Sequence, residues 1–407
     1  MNIAIDIRPL MSRHRAGVGE YTYELLNALF KIDCQNQYFL FYNSNKDVAS
    51  YIPRWTNKNV HFIQTKWPNK WFNFCQKLFK YPKIDRIIKK RCRASLDYFF
   101  SPNINFTTLS QHTKQILTIH DLSFKLYPQY YSLKRWLWHK IIDAEKQSQK
   151  ADIILVPSKN TKRDIVEYFK INPKKIKVLY PGINFLNNDS GVVNSNEKVK
   201  EIRQKYNLPD NFILYLGTIE PRKNIIGIIK AFEKLKSQFP ISNIQYLIIA
   251  GANGWKNRKI YQQAKKSKYH NCIKFIGYVA PADKLPLYSL AKIFIYPSFY
   301  EGFGFPVLEA MSVHTPVITS NRSSLPEIVQ NSAYLVNPHK TDELVRAIKE
   351  LMENNKLREF YIQSGLKQIK KFAWKKTAEA FLNVCALGST LECMGPKIAD
   401  SDDMLNS

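Results

Sequence analysis

The stretch Glu301–Glu309, EGFGFPVLE, decides the fold. It follows the short apolar run Ile293–Pro297, sets Gly302 and Gly304 between two glutamates, and puts Pro306 at a first helical position. A strand, a glycine loop and a helix start, in that order, make the ligand-binding end of an open α/β sheet. The glycines admit a ligand to the backbone N–H groups, and the helix terminus favours negative charge. Glu301 reads as a loop carboxylate that accepts from sugar hydroxyls and stays out of the core. Glu309 reads as a first-turn residue reaching a second polyol such as a ribose. The bland alternative is that Glu301 is merely solvated and Glu309 only offsets the helix dipole.

Outward from this stretch the same order recurs. Toward the N-terminus, Asn2–Asp6, Tyr38–Tyr42, Tyr98–Ser101, Gln115–His120 and Ile153–Pro157 read as strands, with helices over Glu20–Phe30 and Leu133–Lys150. A second series holds strands Phe212–Gly217, Tyr246–Gly251, Cys272–Gly277, Ile293–Pro297 and Val317–Thr319. Helices are expected over Ile225–Ser237, from Pro306, and over Glu343–Asn354 and Arg358–Phe372. Short apolar strands alternating with helices argue for parallel sheets covered on both faces. The fold class is therefore α/β, with two doubly wound, Rossmann-like domains facing a cleft. Their expected limits are 1–185 and 206–372, joined by a polar linker at 186–205. A C-terminal helix at 373–387 and a frayed tail at 388–407 complete the chain.

Length and composition fit this. The 407 residues suit two or three domains, and 45% hydrophobic with 23% charged residues is a globular balance. No apolar run approaches the roughly 20 residues of a membrane span. Asp6 and Arg8 interrupt the start, MNIAIDIRPL, where a signal peptide needs apolar continuity, so a cytoplasmic protein is expected. The six cysteines form no C-x-x-C pair, which argues for a reduced, metal-free chain. The D-x-D at Asp400–Asp402 lies in the tail, where a metal would have no site around it.

The balance of 61 basic against 33 acidic residues gives a net charge of +28 and suggests an anionic partner. Residues 51–100 concentrate it, with twelve Lys or Arg against Asp85 and Asp97. From Lys66 the chain reads KWPNKWFNFCQKLFKYPKIDRIIKKRCR. Trp67, Trp71, Phe72, Phe74 and Phe79 among cations can lie at an anionic bilayer surface. A solvated helix with its rings turned to the core is the equal alternative.

Three further segments carry polar chemistry at strand ends. In YLGTIEPRKN (215–224), Arg222 and Lys223 precede a helix and suit a diphosphate. In RAGVGEYTYEL (15–25), Gly17 and Gly19 supply only half of a dinucleotide fingerprint. In TIHDLSF (118–124), His120 and Asp121 end a buried strand and face the cleft.

Together with VPSKNTKRDI (156–165), LYPGIN (179–184), GYV (277–279) and SNRSSLPEI (320–328), these segments resemble the retaining glycosyltransferases of the two-domain GT-B fold. The resemblance is to family 4, group 1, with its bacterial mannosyltransferases, and runs from Met1 to about Phe381. It implies an acceptor in the first domain and a nucleotide sugar in the second. It implies Glu301 on the donor sugar, Glu309 on the ribose, and backbone of Phe303, Gly304 and Phe305 along sugar and phosphates. Lys223 with Arg222 would neutralise the leaving diphosphate, and Val279 would pair with the base through its backbone. His120 would touch the sugar, Asp121 would lie beside the donor, and Gly17 and Gly19 would let the first loop approach the phosphates. Many members carry Arg where this chain has Thr218, a charge that Arg222 would replace. Retention without a protein nucleophile, and without a metal or other cofactor, is implied.

The expected function is transfer of a hexosyl group, mannose favoured, from a nucleotide sugar to a lipid-linked or oligosaccharide acceptor. Surface polysaccharide assembly at the inner face of the plasma membrane is the setting. A nucleotide-sugar epimerase of the same fold is the alternative. A basic nucleic-acid-binding protein is the other, but the glutamates of 301–309 would repel phosphates and no nucleic-acid module is matched.

Overall fold

The computed structural model describes residues 1–13, 15, 17–183, 196–239 and 245–390. Seven strands form the first sheet: β1 (Asn2–Asp6), β2 (Gln37–Asn43), β3 (Val60–Thr65), β4 (Tyr98–Ser101), β5 (Lys114–Thr118), β6 (Ile153–Val156) and β7 (Ile176–Val178). Their order is β3-β2-β1-β4-β5-β6-β7. Six form the second: β8 (Phe212–Leu216), β9 (Tyr246–Ala250), β10 (Ile273–Gly277), β11 (Ile293–Tyr296), β12 (Val317–Ser320) and β13 (Tyr334–Val336). Their order is β10-β9-β8-β11-β12-β13. Every pairing is parallel.

The strands read as unbroken apolar runs because both faces are covered. All five residues of β8, FILYL, are buried. In β1, alternation sends Ile3 and Ile5 to one core and Ala4 to another. The first of these cores also takes Trp374, Ala378, Phe381 and Cys385 from the helix Trp374–Thr390. That last helix therefore leaves the second sheet and packs on the first, against the helix Gly17–Ile32.

Each sheet reverses its strand order once, between β1 and β4 and between β8 and β11. At such switch points neighbouring loops diverge to opposite faces and leave a crevice at the strands' carboxyl ends. One crevice opens after Asp6 and Ser101, the other after Leu216 and Tyr296.

The sequence reading needs several corrections. Leu133–Lys150 is two helices, Leu133–Ile142 and Ala144–Lys150. Asp143 between them has φ +53°, and its carboxylate accepts from the Lys146 N–H at 3.0 Å, capping the second. The expected linker is not wholly irregular: 196–205 is the helix Asn196–Lys205, while 186–195 lies outside the described residues. The final helix extends to Thr390, and the rest of the expected tail, with Asp400–Asp402, lies outside them too. Strands β3, β7 and β13 were not anticipated.

Candidate active site

At the second switch point the loops after β8 and β11 bring four charged side chains together, all buried: Glu220, Arg222, Lys223 and Glu301. Lys223 Nζ donates to Glu301 Oε1 and to the Tyr296 hydroxyl, each at 2.6 Å. Arg222 Nη1 lies 3.2 Å from Glu301 Oε2 and donates to the Tyr300 carbonyl, while Nη2 donates to Glu220 at 2.7 Å. The turn Pro221–Lys223 holds both cations inward, and Pro221 sets its first dihedral. Two cations thus meet two carboxylates, and the cluster is neutral as it stands.

Burial pushes the Glu301 carboxyl up, but Arg222 and Lys223 outweigh it and bring it down to about 2. Burial also opposes the Arg222 charge, yet Glu301, Glu220 and Asp121 hold its pKa well above the ordinary value. Lys223 goes the other way: burial and the adjacent Arg222 hold its ammonium below an ordinary lysine. Glu301 therefore does not stay out of the core as expected, and the alternative of a merely solvated carboxylate fails as well. It pairs with both buried cations, and removing it would leave Lys223 without a carboxylate and Arg222 with Glu220 alone.

The glycine loop is fixed by the turn after β12. Ser324 Oγ donates to the carbonyls of Glu301 and Phe303 at 3.0 and 2.9 Å, and Ser323 Oγ accepts from the Glu301 N–H at 2.8 Å. Gly304, at φ +118°, precedes the helix Phe305–Ser312. At its start Pro306 has no N–H and the Val307 N–H donates to the Gly304 carbonyl at 3.1 Å, which leaves the Phe305 N–H for an anion. Gly302 meets the first domain: a Cβ there would lie 1.9 Å from the His120 carbonyl oxygen. Phe303 packs its ring on Phe305 and Phe372, leaving only backbone for a ligand.

Glu309 lies in the second turn of this helix, not the first, so dipole compensation does not explain it. Its carboxylate accepts from the Tyr288 hydroxyl at 2.9 Å and sits 3.6 Å from Lys284 Nζ. Val279, just beyond β10, is buried in the core of the second domain. Gly17 and Gly19 are not in a loop either; they belong to the first turn of the helix Gly17–Ile32. Gly19 permits close packing there, since a Cβ would sit 3.1 Å from the Pro9 carbonyl oxygen.

From the first domain, His120 faces Tyr21 edge-on with ring centroids 4.9 Å apart. Its Nε2 lies 2.8 Å from the Pro102 carbonyl oxygen, so this nitrogen carries the proton. Burial lowers its pKa, which keeps the ring neutral and leaves Nδ1 as an acceptor. Asp121 accepts from the Ser123 N–H and hydroxyl, at 2.8 and 2.5 Å. It therefore orders its own loop, and its charge acts on Arg222.

The two domains are joined by polar contacts. Glu327 accepts from the N–H groups of Lys159 and Asn160, at 2.7 and 3.0 Å, and so caps the helix Lys159–Phe169 from the opposite domain. It also accepts from the Tyr180 hydroxyl at 2.6 Å. The Tyr300 hydroxyl donates to Asp164. The segments 156–165 and 320–328 thus meet across the cleft, together with Tyr180. The sequence reading missed Glu220, Tyr296, Tyr300, Ser323 and Ser324. Only Glu220 gave a signal, as the acid two residues before Arg222. Among the described residues, no group of three His, Cys, Asp or Glu side chains could hold a metal ion.

Two parallel α/β sheets whose switch-point loops meet across a cleft make the GT-B fold. Solved structures share it along almost the whole chain. Sucrose-phosphate synthase from Thermosynechococcus elongatus has a TM-score of 0.69 at 18% identity, covering 96% of this chain and 99% of that one. HepE of Anabaena, solved with UDP and glucose, has a TM-score of 0.66 at 15% identity, covering 95% and 100%. In sequence, residues 15–185 match Glycosyltransferase Family 4 and residues 198–368 match Glycosyl transferases group 1. O-antigen chain mannosyltransferase B of Escherichia coli is 31% identical over 290 residues, 70% of this chain and 73% of that protein. The mannosyltransferase WbdA of Escherichia coli is 28% identical over 65% of this chain, but only 32% of its own length is matched. The chain belongs to the family 4, group 1 glycosyltransferases, retaining hexosyltransferases that use a nucleotide-sugar donor.

Proposed function

We propose that the protein moves mannose from a nucleotide sugar, GDP-mannose before others, to a lipid-linked or oligosaccharide acceptor in the assembly of a surface polysaccharide. The buried Glu301–Lys223–Arg222 cluster, at the mouth of a switch-point crevice beside a helix N-terminus, carries the donor site. The likeness to an O-antigen mannosyltransferase supports the choice of sugar.

In this reading the Phe305 N–H, at the start of the helix Phe305–Ser312, donates to a phosphate oxygen, and Lys223 stabilises the departing diphosphate. Glu301 contacts the sugar while its partners hold it ionised, and Glu309 reaches the ribose. Val279 pairs with the base through its backbone. His120 offers neutral Nδ1 to a sugar hydroxyl from the opposite domain. Neither Glu301 nor Asp121 is free to act as a nucleophile, since both are held by hydrogen bonds. The leaving phosphate instead takes the acceptor proton on the face it departs from, which retains configuration. Family membership favours this over epimerisation or nucleic-acid binding.

A donor panel tests it. A GDP-sugar should raise the melting temperature more than UDP- or ADP-sugars, because a ligand at 100 Kd adds about 2.7 kcal/mol to apparent stability. Hydrolysis of the same donor should follow. A larger shift with UDP-glucose would reject the mannosyl assignment.

The same reading places the protein at the inner, cytoplasmic face of the plasma membrane. Among the described residues, no helix is long and apolar enough to cross a membrane. The segment 66–93 folds into the helices Asn69–Leu78 and Ile84–Cys92. Phe72 turns to the core, but Trp71 (63% exposed), Phe74 (49%), Leu78 (60%) and Phe79 (63%) face outward. Leu133, Leu137 and Trp138 of the helix Leu133–Ile142 are exposed as well, an apolar face the sequence reading did not single out. Cations gather beside them: burial, then Lys150, Lys146 and Lys77, push the Lys80 ammonium down. Replacing Lys89, Lys90, Arg91 and Arg93 by Gln should weaken co-sedimentation with phosphatidylglycerol vesicles by about tenfold or more, at about 1 kcal/mol per cation before screening. Wild-type protein that ignores such vesicles at low salt would reject the membrane assignment.

A further inference from the structure

The loop that follows β9, residues 251–257, belongs to the second domain, yet its side chains end in the first. Its base is clamped to the turn after β8. The Ile219 N–H donates to the Ala252 carbonyl at 3.0 Å, and the Gly254 N–H returns to the Ile219 carbonyl at 3.1 Å. Neither glycine of the loop leaves room for a side chain. At Gly251, where φ is +137°, a Cβ would lie 1.9 Å from the Gly217 carbonyl oxygen. At Gly254 it would lie 2.8 Å from the Ile219 carbonyl oxygen.

From this base two side chains cross the cleft. Trp255 Nε1 donates to the Tyr130 carbonyl at 2.6 Å, and Lys256 Nζ donates to the Gln129 carbonyl at 2.7 Å. Lys256 has φ +54°, a left-handed conformation uncommon for lysine, and it turns the chain directly after the tryptophan. The indole also meets Arg135, whose guanidinium carbon lies 4.0 Å from its ring, and Tyr131, with ring centroids 5.5 Å apart. Tyr131 connects this contact to the donor cluster. Its hydroxyl lies 2.6 Å from Ser123 Oγ, which gives its one proton to Asp121 at 2.5 Å. Tyr131 is therefore the donor to Ser123. Burial, and after it Asp121, push the Tyr131 pKa up, which keeps that proton in place. The three groups form one chain of hydrogen bonds, and a complete buried chain fixes its members together. Asp121 follows His120, and its charge acts on Arg222. Tyr130 stacks on Phe299 at 5.7 Å, and the Phe299 N–H donates to the Arg222 carbonyl at 2.9 Å.

We propose that Trp255 is a positioning residue for sugar transfer: from the donor's domain it holds Tyr131 and, through Ser123, sets Asp121 and His120 against the Arg222–Glu301 cluster. The inference deepens the transferase reading above and rests on it. The division of labour between the domains gives the role its content. Lys223, Glu301 and the Phe305 N–H all stand on the second domain, so donor binding does not need the bridge. His120 and Asp121 stand on the first, so their distance from a bound sugar does. A misplacement of about 1 Å at a reacting centre costs about 10²-fold in rate. The signature of such a residue is a loss of turnover at unchanged donor affinity.

Hydrolysis of the sugar nucleotide that shifts melting most in the donor panel, expected to be GDP-mannose, tests this on the full chain. Trp255→Ala should lower kcat by about 10–100-fold, while KM for the donor and the donor-induced rise in melting temperature persist. Trp255→Phe keeps a ring against Arg135 and Tyr131 and should recover most of the rate. It is also the variant to read if the alanine does not fold. Tyr131→Phe keeps its ring and breaks the chain only at the hydroxyl, so its kcat should fall by about tenfold. Added to Trp255→Ala it should lower kcat little further, because members of one network are not additive. A merely structural tryptophan would lower the melting temperature and leave kcat as it is. Full kcat in Trp255→Ala or in Tyr131→Phe, losses that multiply in the double variant, or a donor-induced rise that falls with the rate overturns the positioning role and leaves the donor reading standing. A wild type that neither responds to nor hydrolyses any sugar nucleotide overturns the donor reading, and the positioning role with it.

Discussion

Glu301→Gln is expected to lower the turnover of sugar transfer by about 10³-fold, at the upper end of what losing one preorganised polar group costs. Glutamine keeps the shape and can still accept from Lys223 or from a sugar hydroxyl. It does not keep the charge that balances Arg222 and Lys223 at 3.2 and 2.6 Å. Alanine is the poorer probe. It would leave Lys223 buried beside a void without a carboxylate, a change that typically costs about 3–5 kcal/mol, and lost activity could then reflect lost structure. Stability carries a second signature. Because the Glu301 carboxyl is brought down from 4.5 to about 2, its contribution is complete above pH 4.5 and disappears as the pH falls toward 2. The melting temperatures of wild type and Glu301→Gln should therefore converge through that interval. Near-normal turnover in a Gln variant with unchanged melting would remove Glu301 from the site.

The sequence made the two sheets legible because their central strands are buried on both faces. FILYL at β8 and IFIY at β11 are apolar runs of strand length, bounded by Gly217 and Pro297, and so read as covered strands. The three strands that were missed, β3, β7 and β13, are all at sheet edges. There, exposure dilutes the apolar run, as in VHFIQT, or length shrinks to three residues. The charged residues of the site were legible as types at strand ends, but their pairing was not. Arg222 and Lys223 are adjacent in sequence, and both meet Glu301, 78 residues beyond Lys223, only because β8 and β11 are neighbours. Strand order is a property of the fold that no local pattern carries. Glu327 makes the same point across the domains: it lies in the first turn of its own helix, Leu325–Val329, yet the helix it caps begins 168 residues away. Helix starts were misjudged by three residues at the first glycine segment and by one at the second. Gly17 is already helical and Glu309 is one turn further in, because the glycine that ends the loop at 304 leaves Phe305, not a later residue, to open the helix.

Lys223→Ala should lower turnover by about 10²–10³-fold with a smaller change in the donor's KM. The cluster is neutral without donor, so an arriving diphosphate adds negative charge to a site with no spare cation. The Phe305 N–H can meet part of that charge in the ground state. What it cannot follow is the extra charge that gathers on the leaving oxygen as the sugar bond breaks, and a mobile ammonium can. Lys223 Nζ is held by two hydrogen bonds, to Tyr296 and Glu301, and can exchange the second for a phosphate oxygen. Arg222 is fixed at both ends by Glu220 and the Tyr300 carbonyl, so it is the poorer candidate for that exchange. A pH profile separates the two. Burial and Arg222 hold the Lys223 ammonium below an ordinary lysine's 10.5, so its loss of a proton should set an alkaline limb to turnover on the acid side of that value. The limb should vanish in Lys223→Ala together with the rate. If the variant keeps both rate and limb while Arg222→Ala is severely impaired, the diphosphate is met by Arg222, and the exchange at Lys223 does not occur.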